Sequence, residues 1–155
     1  MVPPGMAFAS VSPEAWKFQA AAKIPHFYWD FARAKKSYDE KKENPWTPAV
    51  SIILQLSTAL KMIHKEGLNN VFERHAKCAQ MIRDGVKKMG LTLFADPKYA
   101  SNTVTGINTP EGLDGKKLRT IMREEYGVVI SGGQQTLDGK IVRVGHLGWI
   151  NEKDV

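Results

Sequence analysis

Two residues in this sequence have the type and setting to hold an anionic group. Thr47 follows Asn44-Pro45-Trp46 and precedes Pro48. A threonine ahead of a proline reads as the N-cap of a helix, with the proline at its first position. A helix start also offers a hydroxyl and unpaired backbone amides, the ingredients of a phosphate site. Arg143 interrupts the apolar run Ile141-Val142-Arg143-Val144, just before Gly145-His146-Leu147-Gly148. A strand arginine commonly stands at a sheet edge with its head in water, or pairs with an acid. Projected from a rigid strand, it can also grip a carboxylate through two parallel hydrogen bonds. Spacing leaves both readings open.

The other reactive side chains point away from chemistry. His64 and His75 fall at amphipathic helical spacing and read as surface or core-edge residues, while His26 and His146 lie beside proline or glycine turns. No His-x-x-x-His or Cys-x-x-Cys pair occurs, so no metal site is expected. Cys78, next to Ala79 in a helical stretch, suits a small buried hydrophobe better than a nucleophile. Ser131-Gly132-Gly133-Gln134 reads as a turn and matches neither the dinucleotide nor the Walker fingerprint.

These residues need a scaffold, and the sequence marks most of it. Met6 to Val11 reads as a short buried strand after a Pro-Pro-Gly turn, followed by a helix capped by Ser12 and running to about Ala22. A strand so isolated needs neighbours from elsewhere. Phe31 to Lys42, with Glu43 after it, mixes both charge signs and reads as a solvated helix or connector rather than a nucleic-acid patch. Pro48 to about Glu66 is predicted as a helix burying Val50, Ile53, Leu54, Leu60 and Ile63, and Gly67 ends it. A second long helix follows, with Leu68, Val71, Phe72, His75, Ala79, Ile82 and Val86 at spacings of three and four, closed by Gly90. The tight joint predicts an antiparallel helix pair. Strands are predicted at Leu91–Phe94, Thr103–Ile107, Val128–Ile130 and Lys140–Val144, and a third helix from Asp114 to Tyr126, ended by Gly127. The fold class is α/β, of the α+β small-domain kind: a mainly antiparallel sheet with helices on one face, from about residue 40 onward.

Composition bounds the function. The chain has 155 residues, 43% apolar and 25% charged, enough for one domain or a small domain plus part of another. Its formal net charge of +6 favours anionic ligands without naming one. A single cysteine excludes an internal disulfide framework and Cys-rich zinc or iron–sulfur sites, and makes a reducing cytoplasm the expected location. The longest uncharged stretch, Asn44 to Leu60, contains two prolines and is too short and polar to span a bilayer, and the opening residues lack the pattern of a signal peptide.

Five segments together carry a resemblance: Val2-Pro3-Pro4-Gly5-Met6-Ala7-Phe8, Asn44-Pro45-Trp46-Thr47-Pro48-Ala49-Val50-Ser51, Glu66-Gly67-Leu68 with Arg74-His75, Ser131-Gly132-Gly133, and Arg143-Val144-Gly145-His146-Leu147-Gly148. In order and across essentially the whole chain, they resemble the class V aminotransferases, in particular the alanine–glyoxylate and serine–pyruvate branch. The resemblance implies fold type I, a homodimer, and pyridoxal 5'-phosphate as cofactor. It implies that Thr47 reaches the cofactor phosphate across the dimer interface and that Arg143 clamps the substrate carboxylate. Asn44 stands where relatives place a further phosphate-contacting residue, and that role is not carried over to it.

The family's catalytic lysine, which holds the cofactor as a Schiff base, lies a few residues before the Pro-Pro-Gly turn. The chain begins at that turn, and its first lysine, Lys17, falls where the family has none. The expectation is a C-terminal portion of such an enzyme: residues 1–40 a remnant of the large cofactor-binding domain with its connector, and 41–155 the small domain. Its partners would be the missing large domain, a second subunit and a small amino-acid or keto-acid substrate, with no nucleic acid and no membrane. Alone it would be inactive. The alternative is a non-catalytic α+β module for an anionic partner, which a steep salt dependence of DNA or RNA binding would reveal.

Overall fold

In a computed structural model, residues 2–155 are described and form two units, 2–59 and 60–155. In the first unit, Ser12 caps as its position predicts, its hydroxyl accepting from the Ala15 amide at 3.1 Å to start α1 (Pro13–Ala21). Asp30 does the same for α2 (Phe31–Lys41), accepting from the Arg33 amide at 3.1 Å. Ion pairs Lys35–Asp39 and Lys36–Glu40 lie along α2, which buries no residue, so this stretch is a solvated helix. Met6 to Val11 do not form the expected strand. A strand exists only where a neighbour takes up its backbone groups, and no described residue does so.

The start of α3 (Val50–Glu66) corrects a second expectation. The first helical hydrogen bond runs from the Ile53 amide to the Ala49 carbonyl at 3.0 Å, and the Val50 amide bonds to the Pro48 carbonyl at 2.9 Å. A three-residue turn thus separates Pro48 from the helix, and Thr47 is not its N-cap. Nor does α3 bury its apolar stripe: Val50 is 55% exposed, Leu54 64% and Ile63 37%. The periodicity is present, but the residue stripe is left uncovered. Gly67 alone, at φ +89°, joins α3 to α4 (Leu68–Lys88), a joint shorter than an antiparallel helix hairpin uses.

The second unit holds the core. Strands β1 (Val104–Asn108), β2 (Ser131–Gly132) and β3 (Ile141–Gly145) form an antiparallel sheet in the order β1-β3-β2. Ile82 and Val86 of α4 and Leu118 of α5 (Gly115–Tyr126) pack against Ile107 and Val142, which places both helices on one face of the sheet. The observed class is therefore the expected mix of helices over an antiparallel sheet. Along α4 the enclosed positions are Cys78, Ala79 and Val86, whereas Leu68 and Phe72, expected inside, are exposed. Leu91–Phe94 contributes an isolated bridge, Leu93 to Ile107, flanked by bonds from the Phe94 amide to the Gly106 carbonyl at 2.9 Å and from the Asn108 amide to the Thr92 carbonyl at 3.0 Å.

Two end signals explain α5 and the shift of the strand after it. Asp114 accepts from the Lys116 amide at 2.8 Å, and Gly127 ends the helix at φ +66°. The Val128 amide then bonds back to the Met122 carbonyl at 2.9 Å, the closure typical of a helix ended by a left-handed glycine. That bond takes Val128 out of the sheet, so the strand expected at Val128–Ile130 appears instead at Ser131–Gly132, where a turn was expected. The reversal lies beyond it, from Gly133 to Asp138, and contains a short 3-10 turn at Gln135–Leu137. No helix among the described residues is long and apolar enough to cross a membrane.

Candidate functional site

Arg143 lies on the central strand of the sheet, not at an edge, paired in register with Gly106 on β1 and Ser131 on β2. Strand alternation puts it on the face opposite Val142, away from the helices. Its Nε donates to the Gly132 carbonyl at 2.7 Å, which fixes the direction of the half-buried guanidinium. Among the described residues no carboxylate pairs with it, and its two terminal nitrogens have no protein partner. A positive fork with one side tied and the other side free is suited to receive a planar carboxylate.

The segment following Arg143 is anchored twice. His146 is fully enclosed: its Nε2 lies 2.8 Å from the Thr105 hydroxyl, its Nδ1 lies 3.2 Å from the Asn102 carbonyl, and its amide bonds to the Thr103 carbonyl at 2.9 Å. Burial lowers its pKa below the ordinary histidine value. Two residues later, Arg74 of α4 takes over. It pairs with Glu66 through Nε at 2.5 Å and Nη2 at 2.9 Å, and its Nη1 donates to the carbonyls of Gly148, at 3.2 Å, and Ile150. The Arg74 hydrogen bonds in turn hold the Glu66 carboxyl below its usual pKa. One side chain thus ties the start of α4 to the strand exit.

Thr47 belongs to the first unit. It is exposed, and its hydroxyl makes no internal hydrogen bond among the described residues. The residue before it is held firmly: Trp46 stacks on Tyr28 with ring centres 5.1 Å apart, donates through Nε1 to the Tyr28 carbonyl at 3.1 Å, and carries the Arg33 guanidinium 4.4 Å over its ring. Thr47 is therefore a free hydroxyl on a pinned backbone, a few residues ahead of the amides of α3.

The sequence profile of the aminotransferase class-V family matches residues 22–150. The chain belongs to that family. It is 39% identical over its full length to the "Soluble hydrogenase 42 kDa subunit" of Anabaena cylindrica, and 41% identical over 99% of its length to an uncharacterized aminotransferase of Methanocaldococcus jannaschii. An alanine–glyoxylate aminotransferase from Nostoc sp., a solved structure, superposes on 92% of the chain with a TM-score of 0.83 at 26% identity and is itself covered over 39% of its length. The chain spans 40% of each of the two curated relatives. The class V aminotransferases are pyridoxal-phosphate enzymes.

Sequence reasoning singles out Thr47 and Arg143 but misses the residues that position them. Trp46 is visible only as part of a motif, because its partners lie 13 and 18 residues upstream. The Thr105–His146 pair spans 41 positions and has no local signature. Arg74 has none either, because Glu66 closes α3 while Arg74 lies on α4, with Gly67 between the two helices.

Proposed function

We propose that this chain is the C-terminal part of a pyridoxal-phosphate aminotransferase that moves an amino group between a small amino acid, of the alanine or serine type, and a 2-keto acid such as glyoxylate or pyruvate. The observation that carries the proposal is the Arg143 guanidinium: half-buried on the central strand, tied through Nε to Gly132, and without an acidic partner among the described residues. Its free terminal nitrogens hold the substrate carboxylate and orient the α-carbon. The free hydroxyl of Thr47, on the segment pinned by Trp46, fits the cofactor phosphate as a donor. The cofactor, when bound, supplies the electron sink for the reaction.

In this reading residues 1–40 belong with the large domain and its connector and 41–155 form the small domain. The working enzyme is a cytoplasmic homodimer, with Thr47 acting across the subunit interface. The lysine that carries the cofactor is not among the residues assigned here. The test is an assay of alanine with glyoxylate, run on the 155-residue chain alone and mixed with a large-domain chain of this family. Turnover is expected only in the mixture. Turnover by the chain alone, or none in a mixture that forms a stable complex, contradicts the proposal.

A further inference from the structure

A concave surface lies on the helix side of the sheet, the side opposite Arg143. It is a groove of about 250 Å³ lined by Lys116, Arg119, Thr120 and Arg123 of α5 and by Val129 and Ile130. The three cations stand at positions i, i+3 and i+7, which share one helix face, so their charges repel and nothing in helix propensity favours the arrangement. Two of them have partial counter-charges: Lys116 pairs with Asp138 at 2.8 Å, and Arg123 lies 3.6 Å from Glu124. Arg119 makes no direct ion pair among the described residues, although it is half-buried. Its place is shaped by a glycine: a Cβ on Gly132 would fall 2.8 Å from Arg119 Nη1 and 2.9 Å from Cζ. The guanidinium thus lies against the backbone of β2, partly removed from water, with only the more distant Asp138, already paired with Lys116, to answer its charge.

We propose that this groove binds a phosphate monoester, its dianion between Arg119 and Arg123 and its organic part against Val129 and Ile130. A half-buried guanidinium without a directly paired carboxylate is stabilised when an anion completes it. Planar guanidinium forks match the oxygens of a phosphate group, and a doubly charged ligand answers two arginines where a carboxylate answers one. The volume exceeds what a bare phosphate fills, and the exposed Val129 side chain offers an apolar wall beside the charges. Lys116, held by Asp138, sets the rim.

The test is a titration of the isotope-labelled 155-residue chain, assembled with an unlabelled large-domain chain of this family, with phenyl phosphate at about 150 mM salt, followed by amide chemical shifts. Saturable shifts confined to residues 116–132 are expected. Inorganic phosphate should move the same amides with weaker affinity, and benzoate should bind more weakly than phenyl phosphate. Arg119→Gln and Arg123→Gln should each weaken phenyl phosphate at least tenfold, about the effect of losing one charge-assisted hydrogen bond. Arg123 is exposed, so its variant keeps the test valid if Arg119→Gln disturbs folding. Shifts scattered over the other lysines, benzoate binding as tightly, or full affinity in a folded Arg123→Gln would overturn the proposal. Binding of a single-stranded oligonucleotide at the groove that phenyl phosphate does not displace would overturn it in favour of a polyanion site.

Discussion

At His146 the surroundings choose the protonation state. The Asn102 carbonyl can only accept, so Nδ1 carries the ring proton and donates to it, and Nε2 accepts from the Thr105 hydroxyl. A second proton would strand a charge in the core, and burial accordingly holds the pKa below the ordinary value near 6.5. The unfolded chain takes up a proton at about pH 6.5 that the folded chain refuses, so unfolding gains as the pH falls through that value. The contribution is complete above it and declines below it. The carboxyls lowered by their partners, Glu66 through Arg74 and Asp138 through Lys116, add their own losses only in more acidic solution. The urea midpoint is therefore expected to drop between about pH 7.5 and pH 5.5, and His146→Gln, which cannot titrate, should remove most of that drop. An equal drop in the variant would place the effect elsewhere.

At the scale of elements, end signals are easier to read than pairings. Ser12 and Gly127 act as their positions predict, because a cap depends on residues within a few positions of itself. Met6 to Val11 and Val128 to Ile130 depart from expectation for the converse reason: alternation and β-branching show that a segment suits a strand, while pairing requires a partner that local sequence does not contain. Thr47 shows the limit for caps, since one three-residue turn after Pro48 moves the helix start past it. Arg143 is legible as a strand residue, but its central position and missing counter-ion are not, because both depend on β1 and β2. Two glycines test how the elements are held. A Cβ on Gly133 would overlap the Leu137 carbonyl, which the turn cannot move, so Gly133→Ala is expected to cost at least about 2 kcal/mol. At Gly85, within α4, an added Cβ would meet nothing within 4 Å, and Gly85→Ala should stabilise by about 0.5–1 kcal/mol. Urea unfolding of the two variants checks both signs.

For the whole molecule, the large uncovered apolar side chains matter most. Phe27, Tyr28 and Trp29 are 70, 59 and 84% exposed, and Val50 and Leu54 are bare along α3. Soluble monomers seldom keep such surface in water, and in the proposed enzyme the large domain or second subunit would cover it. The isolated chain is therefore expected to self-associate in sedimentation, or to exchange its amides rapidly over residues 6 to 30. A monomer with protected amides throughout that segment would count against the proposed assembly. The central claim, that this chain presents the substrate-carboxylate arginine of an aminotransferase, rests on Arg143 and is tested there. In the enzyme completed with a large-domain chain, Arg143→Ala should lose about 3 kcal/mol of carboxylate binding. The KM for alanine should then rise roughly 100-fold while bound cofactor, read from its absorbance, stays at the level of the unmodified enzyme. A KM within twofold of the unmodified enzyme, or loss of cofactor with KM unchanged, would contradict the account.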